Sequence, residues 1–187
     1  MGMQVFGPRR SRATRKPETL CSDSSFWRCP CCGVVALVSD SDTRKDMSIG
    51  CCGEYMERII PIPAEELPRG IELSYKIIGG PNENAVQAVW SPAHRPEWLY
   101  LKTFTGGQLK YISDKKRSPA VFALADEDAY VYCDKDPCVE CTFRCKRGFI
   151  LYGWFEGTGL AECPLDRMSA NWRSQEAHMN ERPPQNQ

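Results

Sequence analysis

Apolar and polar positions alternate along the middle of the chain in short runs. Over IELSYKII, the residues Ile71, Leu73, Tyr75 and Ile77 share one parity, the period-two pattern of a strand with one face buried. The GGPNEN that follows is a turn signal. AVQAVW, EWLYLKTF, QLKYI, AVFALA, AYVYC and GFILYGWF read as further strands, and Thr105-Gly106-Gly107 reads as the hairpin turn before QLKYI. About seven short strands punctuated by turns predict an antiparallel sandwich. No sustained helical period interrupts them.

The flanks differ. MGMQVFGPRRSRATRKP is basic and polar and reads as a solvated disordered arm, with a transit peptide as the competing reading. Phe26 to Ile60 predicts short strands joined by tight, cysteine-bearing turns, and PIPAEELPRG reads as a linker or crossing loop. From about Leu165 the chain turns polar and ends in RPPQNQ. The expected organisation is an arm over 1–22, a small metal-binding domain over 23–62, a β-sandwich over 63–164 and a disordered tail over 165–187. The fold class is all-β.

Composition narrows the function. Lys plus Arg and Asp plus Glu both number 24, giving a formal net charge of zero and arguing against a nucleic-acid partner. There is no apolar run long enough for a membrane span. Eleven cysteines are many for 187 residues. Their clustering in short loops fits metal binding in a reducing compartment, the cytoplasm, better than a disulfide framework.

Cys29 and Cys32 form a C-x-x-C pair followed by Gly33, and Cys51 and Cys52 lie between Gly50 and Gly53. Two turns offering two thiolates each make a four-sulfur tetrahedral site for iron or zinc. Neighbouring side chains on a strand point to opposite faces, so Cys51 and Cys52 share an ion only if the backbone turns sharply between them. Cys31 is left over as a non-ligand. A stretch of about 35 residues is too small to fold on an apolar core alone. A metal must then supply much of its stability, on the order of 10 kcal/mol if structural zinc is a guide.

Cys29, Cys32, Gly33, Val34, Val35, Cys51, Cys52, Gly53, Glu54 and Met56 resemble desulforedoxin and the N-terminal domain of desulfoferrodoxin. The resemblance implies that Cys29, Cys32, Cys51 and Cys52 hold one iron in a rubredoxin-like Fe(Cys)4 centre that passes single electrons. Farther on, His94, Glu97-Trp98-Leu99-Tyr100-Leu101, Gly106-Gly107, Pro119-Ala120-Val121-Phe122 and Ala129-Tyr130-Val131-Tyr132-Cys133 resemble the superoxide-reductase domain of the same family. That likeness implies an immunoglobulin-like β-sandwich, with His94 and Cys133 at the positions of iron ligands.

The likeness breaks at the ligands. The family's iron takes four histidines and a cysteine, whereas this chain has two histidines, His94 and His178, the second in the polar tail. Ser91-Pro92 stands where the family has His-Pro, and Asp136-Pro137 where it has a further histidine. Instead, Cys133, Cys138, Cys141 and Cys145 form C-x4-C-x2-C-x3-C, dense enough for a [4Fe–4S] cluster or a mononuclear zinc or iron. Cys163 reads as a free thiol, with an extra ligand to that site as the competing reading. Lys115-Lys116-Arg117 reads as a solvated loop, and Trp90, Trp98, Tyr100, Phe122 and Trp154 as core.

The expected function is one-electron transfer by a non-haem iron protein with a second, cysteine-rich metal site. Its electron donor would be a rubredoxin or a reductase, and a homodimer is an open expectation. Two other readings stand beside it: a superoxide reductase with a site remodelled around His94 and Cys133, and a zinc-stabilised interaction module without redox chemistry.

Overall fold

Strand β1 (Asp23–Arg28) carries the first cysteine loop at its end and pairs antiparallel with β2 (Val35–Asp40). The computed structural model describes residues 23–40, 47–79, 84–129, 146 and 148–165. A two-residue turn joins β3 (Gly50–Cys51) to β4 (Glu54–Tyr55), and β5 (Glu57–Ile59) returns to pair with β1. The N-terminal module is thus a three-stranded sheet ordered β2-β1-β5 with a small cysteine hairpin beside it.

The expected linker turns out to be stitched to the sandwich. Within it, β6 (Ile62–Pro63) pairs in parallel with β13 (Gly159–Pro164), and a 3-10 turn follows at Ala64–Glu66. Pro63 is accommodated because β6 ends its sheet, so its missing N–H leaves no neighbour unpaired.

The sandwich follows the alternation read from the sequence. The strands are β7 (Leu73–Ile78), β8 (Ala85–Trp90), β9 (Trp98–Lys102), β10 (Gly107–Tyr111), β11 (Ala120–Ala123) and β12 (Ile150–Phe155). One sheet is ordered β10-β9-β12-β13-β6 and the facing sheet β11-β8-β7. Between them Leu99, Leu101, Leu151, Phe155 and Ala161 meet Val86, Ala88, Trp90, Ala120 and Phe122 in the main core. The chain is all-β as expected. Among the described residues its one α-helical piece is the short turn α1 (Asp126–Ala129). The expected strand AYVYC begins on the last residue of that turn, and Tyr130 to Cys133 lie outside the described residues.

A second apolar layer lies on the opposite face of the five-stranded sheet. Residues of the other parity, Trp98 and Tyr100 of β9, Tyr152 of β12 and Leu160 of β13, enclose Phe26 of β1, which is 1% exposed. The Phe26 ring lies 4.9 Å from Tyr152, 5.8 Å from Trp98 and 5.9 Å from Tyr100. Ser24 Oγ and Tyr100 Oη add a hydrogen-bond contact at 3.4 Å. Trp90 and Phe122 therefore belong to the main core, while Trp98, Tyr100 and Trp154 belong to the layer that seats the N-terminal module.

Candidate metal centre

The first half of the site is the loop that ends β1. Cys29 N–H donates to Val34 O at 2.9 Å and Gly33 N–H to Cys29 O at 3.0 Å, closing the loop on itself. Gly33 makes the closure at φ 73, a left-handed backbone that a side chain disfavours. Cys29 is fully buried beneath the loop, while Cys32 and Cys31 are exposed.

The second half is the β3–β4 hairpin. Its two loop residues, Cys52 and Gly53, both have positive φ, 54 and 80, the signature of a type I′ turn. Asparagine or glycine is the usual first residue there; Cys52 is the non-glycine residue with positive φ among the described residues. This is the sharp turn the vicinal pair requires, and it brings the two sulfurs to 3.8 Å.

The four sulfurs of Cys29, Cys32, Cys51 and Cys52 lie within 4.8 Å of one another. Sulfurs about 2.3 Å from a central ion sit about 3.8 Å apart in a regular tetrahedron. Cys32 Sγ and Cys51 Sγ are 3.6 Å apart, and Cys29 Sγ lies 3.8 Å from Cys51 O. The donor set of four free thiols, with no disulfide among them, therefore fits one thiophilic ion such as iron or zinc.

Electrostatics divide the set. The backbone N–H of Cys32, 3.5 Å from the Cys29 sulfur, favours its thiolate and brings the Cys29 pKa down to about 7. Contact with Cys32 first, then Cys51, pushes the Cys52 thiol up to about 12, and Cys32 and Cys29 likewise raise Cys51. Cys51 and Cys52 therefore hold their protons at neutral pH in the absence of an ion. Capture of a metal displaces those protons, so affinity rises with pH.

The hairpin turn supports a prediction for the metal-free protein. A left-handed backbone costs a residue with a Cβ roughly 1–2 kcal/mol. Metal-free Cys52→Gly should unfold at a higher temperature than metal-free Cys52→Ala, while both lose tight metal binding with the fourth sulfur. Thermal unfolding with chelator present checks this; an alanine variant as stable as the glycine one would contradict the strained turn.

The other sequence-predicted residues are placed differently. His94 is exposed in the turn after β8, its N–H on Ser91 O at 3.2 Å, and it joins no metal-ligating group among the described residues. Cys133, Cys138, Cys141 and Cys145 lie outside the described residues, as do Cys21 and His178. Cys31 stays apart from the four-sulfur group. Cys163 packs beside the main core, where burial, with Glu65 adding to it, pushes its thiol up to about 11. Lys115, Lys116 and Arg117 are exposed between β10 and β11. No helix among the described residues is long and apolar enough to cross a membrane.

Searches of protein families and of curated proteins return no match to this sequence. Among solved structures, the superoxide reductase from Treponema pallidum is similar with a TM-score of 0.48 and 16% identity, covering 76% of this chain and 98% of that one.

Proposed function

We propose that this protein carries single electrons through one iron held by Cys29, Cys32, Cys51 and Cys52. The observation that carries the reading is the convergence of four free thiols from two tight turns within 4.8 Å. The likeness of both turns to desulforedoxin supports iron over zinc. Iron bound by four thiolates supplies a ferrous–ferric couple that needs no change of ligands.

The residues divide the remaining work. Cys29, the buried one of the four, is the anchor, and the Cys32 N–H beside its sulfur stabilises negative charge there. Cys32 and Cys52 are exposed and present the outer edge of the centre to a partner. The donor we assign is a rubredoxin-like protein or a reductase, in a reducing cytoplasm where such thiols remain free for metal. Cys133, Cys138, Cys141 and Cys145 are proposed to hold a second metal or a [4Fe–4S] cluster, with His94 as a candidate neighbouring ligand.

Anaerobically purified protein should be red or pink from sulfur-to-iron charge transfer and should show a reversible one-electron wave, lost together with the colour on zinc substitution. Colourless protein that takes up zinc in preference to iron and stays electrochemically silent would reduce the site to a structural one.

A further inference from the structure

The aromatic layer that seats the N-terminal module continues out of the core as a stack. Phe26 lies on Trp98 at 5.8 Å with 23° between the ring planes, and Trp98 lies on Trp154 at 6.2 Å with 5° between them. The next flat group is the Arg28 guanidinium, its Cζ 5.5 Å from the Trp154 ring. Three rings and a planar cation therefore form one column, buried at Phe26 and exposed at Arg28.

The open end of this column forms a wall of a groove of about 710 Å³ between β2 and β10. Both strands end their sheets. The groove rim carries apolar side chains that face water: Val34 is 55% exposed, Leu37 41%, Leu109 48% and Tyr111 80%. The volume falls within the range of roughly 300–1,000 Å³ typical of small-molecule sites. The charged groups lining it are Arg28, Glu97 and Glu156, a cation with two carboxylates.

The groove is lined by chain neighbours of the four-sulfur group. Arg28 and Gly33, both lining it, are the immediate chain neighbours of Cys29 and Cys32. The Arg28 guanidinium lies against Gly33, its Nη2 3.4 Å from where a Cβ on that glycine would sit. A molecule in the groove therefore lies against the residues that adjoin Cys29 and Cys32 in the chain.

We propose that this groove binds the isoalloxazine ring of a reduced flavin, which gives one electron to the ferric ion of the four-sulfur centre and is itself left one electron oxidised, as the semiquinone. A fused planar ring extends the column by the same offset parallel stacking that already orders it, entering between Trp154 and Arg28. The pyrimidine edge of the ring carries carbonyl oxygens and an N–H. Arg28 donates to the first, and Glu97 or Glu156 accepts from the second. The exposed Leu109 and Tyr111 cover the apolar dimethylbenzene end. Ligand and groove therefore match in flatness, in edge polarity and in apolar area. The assignment of the carrier rests on the electron-transfer reading; the binding itself does not.

Riboflavin is the probe, since it presents the ring without a phosphate. Titrated into full-length, zinc-loaded protein, it should show saturable fluorescence quenching with a dissociation constant in the range of roughly 1–100 µM. Trp154→Leu should weaken binding about tenfold, the scale of one lost ring stack. Because Trp154 also packs against the module, Tyr111→Ser is the second variant; its side chain is 80% exposed and its loss should weaken binding without altering the circular dichroism. Absence of saturable quenching, unchanged affinity in both variants, or equally tight binding of adenosine would overturn the proposal. Zinc-loaded protein reads the groove alone. A redox-silent centre therefore leaves a positive titration standing, and a failed titration leaves the iron couple untouched.

Discussion

Cys29→Ser protein should bind no metal at the four-sulfur site and should have a less stable N-terminal sheet. Cys29 is the one ligand that is fully buried, and it sits where β1 ends, so its sulfur is fixed by the strand as well as by the loop. Three features of the site depend on sulfur at this position: the thiolate favoured near neutrality, the N–H contact from Cys32, and the approach to Cys51. A serine hydroxyl is shorter, stays protonated at neutral pH and is a poor match for a thiophilic ion. The remaining thiols would be left with an incomplete shell, and binding free energy that the module uses for folding would be withdrawn. Metal content should fall from one per chain to near none, with loss of the charge-transfer colour. Cys31→Ser is the control, since Cys31 is exposed and outside the group. Retention of a full equivalent of metal by Cys29→Ser, or its loss from Cys31→Ser, would show the ligand set to be wrong.

Phe26→Ala should cost 3–5 kcal/mol, roughly the range for removing a fully buried phenylalanine side chain. Such a loss is a large share of the roughly 5–15 kcal/mol that holds a typical domain together. Phe26 is 1% exposed and is the shared contact of Trp98, Tyr100, Tyr152 and Leu160. Its neighbours are large and held in three paired strands of another sheet, so the site has little freedom to collapse around the cavity. Urea unfolding of metal-loaded protein, followed by tryptophan fluorescence, reads the change directly because Trp98 and Trp154 flank the site. The metal itself should remain bound, as Phe26 touches no ligand sulfur. A loss below about 1 kcal/mol, the scale of a surface substitution, would mean that the module is not seated through this ring.

The two expected results mark the boundary of what the residues disclose by themselves. The cysteine set is legible because its turns are local: C-x-x-C-G and C-C-G already contain both of them, and the structure brings those sulfurs together. The sandwich strands β7, β10 and β11 are legible from period-two alternation. The second apolar layer is half legible. In Trp98-Leu99-Tyr100-Leu101 both parities are apolar, which announces a sheet covered on two faces, yet nothing in the run names Phe26 as the cover. Three features escaped because their cause is not local. The parallel pairing of β6 depends on a partner about a hundred residues away, so a proline-rich stretch reads as a linker. Strand β13, Gly159-Leu160-Ala161-Glu162-Cys163-Pro164, is bounded by glycine and proline and carries a carboxylate, which hides its two buried residues. The turn at Asp126–Ala129 displaces the start expected for AYVYC because Asp128 caps the β9–β10 loop, accepting from the Phe104 and Thr105 amides at 3.2 Å and from Thr105 Oγ1 at 2.8 Å.

The covered outer face of the five-stranded sheet also bears on how the chain can be divided. Trp98, Tyr100 and Tyr152 are each at most 8% exposed in the whole chain, and Phe26 lies against all three. A polypeptide begun after Ile60 would keep its main core intact while turning these rings, with Leu160, toward solvent. Contiguous aromatic area of that kind drives self-association. The sandwich should therefore not be a free-standing product of truncation: released from its N-terminal sheet, it should self-associate, the small cysteine-bearing module being its solubilising cover.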